Sequence, residues 1–299
     1  AVIKHFPANL SKTQYNREFH NYTFDSIARS PFVRSMIDLV GHDEPSPPTG
    51  HQQPKCMVFE WMDTDLWQLP ASPFRSGSEL PRIVARFVLE ALAVFDYEDG
   101  VHTDVNPNTV FLSGVNGPSP VVKLGDLGNC KSLATKSTSS KGIVIRAPEV
   151  WKDIPITPKA DIWSLGVTVI GTLAGRKTIF GPADKIVDGL TDHWSIAKLM
   201  RHVDLTGTPD PSKTDIVDEF ALAEETFVHP QSGLEERFIK VGSIRHELEK
   251  VEGPIERGYI DFIESLLVVN PTRRPSAMEA LQHPWLKGST DYDSDWSVD

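Results

Sequence analysis

The sequence predicts an α+β protein of two unequal lobes, a small strand-rich one followed by a large helical one. Short β-like runs at residues 1–4, 34–40 and 55–60 all fall near the start of the chain. After them the periodicity turns helical. Residues 79–98 form a long amphipathic pattern, and residues 161–173 are apolar nearly all round, which argues for a helix buried on every side.

Each element has a local reason. AVIK at residues 1–4 is an apolar run ending in Lys, readable as a strand. Residues 11–28 space Tyr15, Phe19, Tyr22 and Ile27 at roughly helical intervals. HDEPSPPTGHQQP, between the second and third strand runs, is a Pro-rich loop. Pro81 sits near the start of the 79–98 helix, where its missing N–H costs little. Further on, VFL and VVKL are short strands flanking the turn GVNGPSP. The Ser/Thr/Lys tract 131–142 has no periodicity and predicts a flexible loop. Residues 181–255 are mixed polar, expected as helix plus loop, and 260–267 and 277–286 are the last helices. The tail GSTDYDSDWSVD is acidic and Ser-rich, and is expected to stay unpacked.

The chain has 299 residues, with 39% hydrophobic and 24% charged, an ordinary globular composition. Lys and Arg number 30 against 41 Asp and Glu, a net charge of −11. A net acidic surface gains nothing from counterion release, so direct nucleic-acid binding is not expected. The two cysteines, Cys56 and Cys130, make neither a disulfide framework nor a metal quartet and suit a reducing compartment. The N-terminus lacks the apolar core of a signal peptide, and no run is long enough to span a bilayer. The expected location is intracellular, cytoplasmic or nuclear.

The chemical information is concentrated in residues 102–128, HTDVNPNTVFLSGVNGPSPVVKLGDLG. His102-Thr103-Asp104 and Asp126-Leu127-Gly128 resemble the H-R-D-L-x-x-x-N and D-F-G signatures of the eukaryotic protein kinases. Other landmarks follow in the family's order. Lys4 closes a V-A-I-K-like strand, Glu18 follows on a predicted helix, and Phe59-Glu60-Trp61-Met62 resembles a hinge. Arg146-Ala147-Pro148-Glu149 matches A-P-E, and Asp161 to Gly166 and Asn270 to Pro275 complete the series. The DLGNC stretch and Thr103 are similar to the SR-protein kinases of the CMGC group.

The resemblance implies a two-lobed kinase fold: a partial N-lobe and hinge over residues 1–62, a C-lobe over 63–287, and an acidic disordered tail over 288–299. It implies ATP and Mg²⁺ as cofactors. Lys4 would neutralise phosphates with Glu18 holding its ammonium. The Glu60 carbonyl and Met62 backbone would bond adenine, with Phe59 as gatekeeper. Asp104 would accept or orient the substrate hydroxyl proton, and Asp126 would bind the metal. Glu149 and Arg274 would form a buried ion pair, Asp161 would anchor the catalytic loop, and His102 would pack in the core. The partner would be a protein substrate or binding partner of a monomeric chain, without membrane contact.

The pattern also breaks. No glycine precedes Gly41, so the Gly-rich loop and first strands are missing, as in a truncated chain. Thr109 stands where the second metal-binding Asn belongs, a shorter-reaching ligand. Asn106 replaces a phosphate-stabilising Lys, and Gly142 replaces the Thr that would bridge it to the catalytic acid. Electrostatic groups of this kind are each worth roughly 2.7–4 kcal/mol. The expected function is therefore Ser/Thr phosphorylation, weak or impaired, with an inactive pseudokinase scaffold as the alternative.

Overall fold

A computed structural model describes residues 1–6, 11–41, 55–69, 79–132, 145–151, 155–173, 191–202, 217–239, 242–249 and 255–287. Gly142, the Pro-rich loop, most of the 131–142 tract and the acidic tail lie outside the described residues.

The smaller part begins with strand β1 (Val2–Phe6), helix α1 (Ser11–Asn21) and the one-turn helix α2 (Asp25–Ala28), followed by strands β2 (Met36–Val40) and β3 (Lys55–Phe59). β1 and β2 both pair antiparallel with β3, giving the order β1-β3-β2, with Lys4 opposite Met57. Strand alternation puts Val2, Lys4 and Phe6 on the more buried face of β1 and leaves Ile3 and His5 exposed. Tyr15 and Glu18 of α1 and Tyr22 just after it are all buried, three and four residues apart. Glu18 thus lies within an otherwise aromatic stripe. Tyr15 meets Phe6 edge-on with centroids 5.2 Å apart, which docks α1 on the sheet.

Two differences from the sequence expectation arise here. The helix predicted over 11–28 is broken after Asn21. The Thr23 hydroxyl bonds back to the His20 carbonyl at 2.7 Å, and the Asn21 side-chain amide is drawn away to the Leu127 carbonyl at 2.9 Å. The strand predicted from residue 34 begins at Met36. Residues 32–34 pair instead with a strand of the larger lobe: Arg34 N–H donates to the Leu124 carbonyl, and Leu124 N–H to that of Phe32, each at 2.8 Å.

Beyond β3 come β4 (Thr64–Asp65), α3 (Leu80–Tyr97), β5 (Gly100–Val101), β6 (Val110–Ser113), β7 (Val121–Leu124) and β8 (Lys131–Ser132). β6 and β7 form the expected hairpin, extended by β4 on the far side of β6. β5 pairs with β8, tying the start of the loop that carries Asp104 to the chain after Gly128. Next are α4 (Pro148–Trp151), α5 (Lys159–Leu173), α6 (Thr191–His202), α7 (Val217–Glu224), strands β9 (Thr226–Val228) and β10 (Glu235–Arg237), α8 (Ile244–Glu249), α9 (Arg257–Leu266) and α10 (Ala277–Ala280).

α3 buries Val84, Val88, Ala91, Leu92 and Phe95, and α5 is buried without a break from Ala160 to Val169, as its apolar circumference requires. One hydrophobic core runs from Phe6, Tyr15 and Met57 to Leu89, Leu127 and Trp163, so both lobes share it. The β9–β10 hairpin was not expected; its strands are three residues each, and its turn uses Gly233 at φ +67°. The last helix is one turn, closed at its start by a Ser276–Glu279 capping box; Pro284 cannot continue it.

Arg274 is fully buried, with Nη1 and Nη2 donating to the Glu149 carboxylate at 2.6 and 3.0 Å. Its Nε donates to the Val268 carbonyl, and Nη1 also to that of Lys159. A buried pair holds only when every donor is used like this. It ties α4 to the chain after α9.

Candidate functional site

β1, α1 and the loop after β7 converge on Lys4. Its Nζ donates to Glu18 Oε2 at 2.7 Å and to Asp126 Oδ1 at 2.6 Å. Burial alone would pull the Lys4 ammonium down, but the Glu18 and Asp126 charges outweigh it and hold its pKa above the ordinary value. Burial pushes the Glu18 carboxyl up more than Lys4 draws it down. The charged pair therefore favours Lys4 and strains Glu18, because Glu18 is the deeper member. Asp126 has φ +63°, an uncommon conformation for a non-glycine residue, which turns its carboxylate away from the strand and toward Lys4.

The loop between β5 and β6 carries Asp104. Both its carboxylate oxygens accept an amide: Oδ1 from Asn106 Nδ2 and Oδ2 from Asn129 Nδ2, each at 2.9 Å. Asn129 lies just after the Asp126 loop, so the two acid-bearing loops are bonded to one another. Thr103 Oγ1 donates to the Asn129 carbonyl at 2.7 Å, and His102 Nε2 lies 3.1 Å from the Gly125 carbonyl. His102 is fully buried, and burial pulls its pKa down, so it sits in the core as a neutral ring packed edge-on against Phe95. Thr103 holds φ +64°, costly for a β-branched residue. Asp161 fixes it there by accepting the backbone N–H of His102 at 2.7 Å and of Thr103 at 2.9 Å.

Thr109 is buried and its hydroxyl serves the loop. It donates to the Asp104 and Asn106 carbonyls at 2.9 and 3.0 Å and accepts from the Asn106 N–H at 3.1 Å. It braces the backbone that presents Asp104.

The third component is the end of β3. Phe59 and Met62 are buried. The Glu60 carboxylate accepts Lys123 Nζ at 2.7 Å and the Ser35 N–H at 2.7 Å, which fixes the chain direction leaving the strand. The Lys123 and Ser35 donors bring the Glu60 pKa below its ordinary value against the opposing effect of burial. The Glu60 carbonyl accepts Nε and Nη2 of Arg34 at 3.1 and 2.9 Å.

A comparison with known families matches residues 11–286 to the protein kinase domain. The chain belongs to the protein kinase family. It is 24% identical over 300 residues to the dual specificity protein kinase YAK1 of Saccharomyces cerevisiae, covering 90% of this chain and 36% of that one. It is 26% identical over 241 residues to mitogen-activated protein kinase 4 of Arabidopsis thaliana, covering 77% of this chain and 55% of the relative. To the serine/threonine kinase NLK of Caenorhabditis elegans it is 23% identical over 282 residues, covering 91% and 39%. These relatives place this kinase domain in the CMGC group. It spans about half the length, or less, of the curated relatives it matches.

In this kinase domain Lys4, Glu18 and Asp126 meet directly, Asp104 is bonded to the Asp126 loop, and Glu60 and Met62 lie at the end of β3. The fit to Mg²⁺ is partial. Mg²⁺ is held by one or two carboxylates together with substrate phosphates. Asp126 has Oδ1 on Lys4 and an Oδ2 that takes no hydrogen bond among the described residues. Thr109 offers only a hydroxyl already engaged with backbone.

Two contributors were not singled out from sequence. Asn129 looked like part of a subfamily signature, with nothing to show that its amide reaches Asp104. Arg34 looked like a strand residue. A third residue, Arg146, was noted only as part of A-P-E; burial pulls its pKa below the ordinary value against the opposing Asp104 charge. Among the described residues no helix is long and apolar enough to cross a membrane.

Proposed function

We propose that this kinase domain binds ATP with Mg²⁺ between its lobes and transfers the γ-phosphoryl group to a Ser or Thr hydroxyl of a protein substrate, at a reduced rate. The observation that carries the reading is the Lys4 ammonium held between Glu18 and Asp126. A cation pinned by a buried acid on one side and a half-exposed acid on the other is preorganised for phosphate oxygens. Asp104 takes the proton of the substrate hydroxyl as its oxygen bonds to phosphorus. The bond from phosphorus to the bridging oxygen breaks, and ADP leaves. The amides on each Asp104 oxygen leave further lone-pair positions for that hydroxyl. Asp126 would hold Mg²⁺, and when bound the ion offsets phosphate charge. Glu60 and Met62 would meet the base through their backbone, with the lobe boundary after Met62. Within the CMGC group, DLGNC and Thr103 support a likeness to SR-protein kinases. Two free thiols fit an intracellular setting, cytoplasmic or nuclear, in which this domain would act as a monomer.

The pseudokinase reading has its own support in Thr109, whose hydroxyl replaces an amide ligand and is engaged with the loop backbone. A domain built this way would bind nucleotide or a protein partner without turnover.

Thermal unfolding with ATP and Mg²⁺ tests binding. Transfer of radiolabelled phosphate to a Ser/Arg-rich peptide, with Asp104→Asn as control, tests chemistry. Transfer above the Asp104→Asn background establishes the kinase; equal background with a retained thermal shift establishes the pseudokinase. No shift and no transfer defeats nucleotide recognition altogether.

A further inference from the structure

Asp161, Ser164 and Thr168 stand three and four residues apart on α5, a buried polar stripe in an otherwise apolar stretch of helix. Asp161 holds the His102 and Thr103 N–H groups, and the Thr168 hydroxyl donates to the Val105 carbonyl at 3.4 Å. Ser164 lies between them, its hydroxyl 3.1 Å from the Ile145 carbonyl and 3.2 Å from that of Ala160. One face of one helix therefore holds the backbone on both sides of Asp104 and, next to it, the residue that precedes Arg146. On its other side Arg146 leads into α4, which Glu149 ties to Arg274. The backbone of Arg146 is thus fixed from both directions, and its side chain is half-buried. The Asp104 charge reaches its guanidinium and opposes the desolvation that pulls it below its ordinary range. Lys131, paired with Val101 three residues before Asp104, is pulled below its ordinary value by burial and by the charges of Arg17 and Arg146. Arg146 is a cation brought within range of the acid from a distant segment, beside a second cation, where an arriving anion would be stabilised.

We propose that Arg146 is a further catalytic residue of this domain, its guanidinium giving the transferring phosphoryl group the positive charge that Asn106 lacks. The inference rests on the phosphate-transfer reading above and adds a residue to it. As the substrate oxygen bonds to phosphorus, its proton passes to Asp104 and the bond from phosphorus to the bridging oxygen of ADP breaks. Negative charge is then spread over the three equatorial oxygens. Asn106 cannot meet that charge: its amide is spent on the Asp104 carboxylate and carbonyl, and it is neutral. A guanidinium can. It stays protonated through the cycle, and its planar fork directs parallel N–H donors at two phosphoryl oxygens. It makes and breaks no covalent bond and leaves Asp104 free to take the proton. Stabilisation of this kind acts on the transition state more than on bound nucleotide, so it belongs to kcat.

The test compares the native full chain with Arg146→Met, Arg146→Lys, and Arg146→Met joined to Asn106→Lys. Steady-state transfer of radiolabelled phosphate to a Ser/Arg-rich peptide gives kcat and the KM of each substrate. Calorimetric titration with ADP and Mg²⁺, with and without aluminium fluoride as a stand-in for the transferring phosphoryl group, reads the same contact without turnover. Arg146→Met is expected to lose about 10²-fold in kcat with the nucleotide KM little changed, and to lose the affinity that aluminium fluoride adds to ADP. Arg146→Lys, which keeps the charge, should lose less. Asn106→Lys brings a cation to the same place from the loop itself, and should restore at least about tenfold of the kcat lost in Arg146→Met. A folding defect would not be repaired in that way. An unchanged kcat in Arg146→Met overturns the inference. So does a loss confined to the peptide KM, which would make Arg146 a docking cation, or a loss that Asn106→Lys does not repair, which would make its role structural. In each of these cases the phosphate-transfer reading stands. If the native chain transfers no phosphate above its Asp104→Asn background, that reading falls and the role of Arg146 falls with it.

Discussion

Asn129 donates its side-chain amide to Oδ2 of Asp104 at 2.9 Å, so the loop that follows Asp126 directly holds the acid of the loop before β6. Asn106 holds the other oxygen. The carboxylate is therefore set by two uncharged donors from different segments. At position 106 an amide stands where a lysine would carry charge, so Asn106 gives Asp104 orientation without charge.

Removing one clamp should show that orientation matters. Asn129→Ala frees Oδ2, and the expected outcome is a loss of about tenfold or more in phosphate-transfer kcat, with the KM for nucleotide little changed. Asn129→Asp puts a second negative charge beside Asp104 and should cost more. Steady-state transfer to peptide, measured beside the nucleotide-induced thermal shift, separates this from a folding defect. A parallel fall in the thermal shift would count against a positioning role.

Lys4 is the partner of a carboxylate that is almost wholly inaccessible. Lys4→Met leaves Glu18 buried without its cation, and the expected loss of stability is about 1–3 kcal/mol. Glu18→Gln alongside it removes the stranded charge, so the double variant should be less destabilised than Lys4→Met alone. Urea unfolding of the native chain, both single variants and the double variant gives the coupling. Additive effects would mean the two side chains do not stabilise one another.

How far the sequence disclosed this site depends on the kind of contact. Lys4 and Glu18 were visible through the resemblance of AVIK to the kinase V-A-I-K strand and the acid on the helical segment after it. The buried α5 and the amphipathic α3 were visible from their helical periodicity. The end of α1 was hidden because Asn21 bonds to Leu127, more than a hundred residues on, and nothing local marks that. The start of β2 was displaced because residues 32–34 pair with β7, a choice made between distant segments. Asn129 and Arg34 escaped for one common reason. Asn and Arg are ordinary surface residues, and their roles appear only when the fold brings Asp104 and the Glu60 carbonyl to them.

The loop that carries Asp104 can be tested by restoration. Asn106→Lys adds a cation beside Asp104, and Thr109→Asn returns an amide oxygen while its N–H can still meet the loop carbonyls. Together they should raise the transfer rate at least about tenfold, since one such electrostatic group is commonly worth 10²–10³ in rate. Radiolabelled transfer by the double variant, with Asp104→Asn added as control, is the measurement. An unchanged rate would show that these positions do not limit turnover.

Asp161 links the loop's geometry to pH. Burial pushes its carboxyl from 3.8 up to about 7, outweighing the two backbone N–H donors that favour the anion. In the unfolded chain it ionises near 3.8, while in the folded chain it keeps its proton until about 7. Between these values the folded state binds more protons, so raising the pH favours unfolding. The contribution is fully present below 3.8, declines as pH rises through the window, and is gone above about 7. The slope approaches roughly 1.4 kcal/mol per pH unit in the middle of the window. Asp161→Asn keeps one acceptor for His102 or Thr103 but cannot titrate, so it removes this slope while leaving those of other groups. The stability of the native chain relative to Asp161→Asn, from urea unfolding at a series of pH values, should therefore fall steadily between about pH 4 and pH 7 and then level off. A difference independent of pH across that window would mean that the two backbone donors hold Asp161 ionised throughout, and that the strained Thr103 backbone is fixed by an anion rather than by a neutral acid.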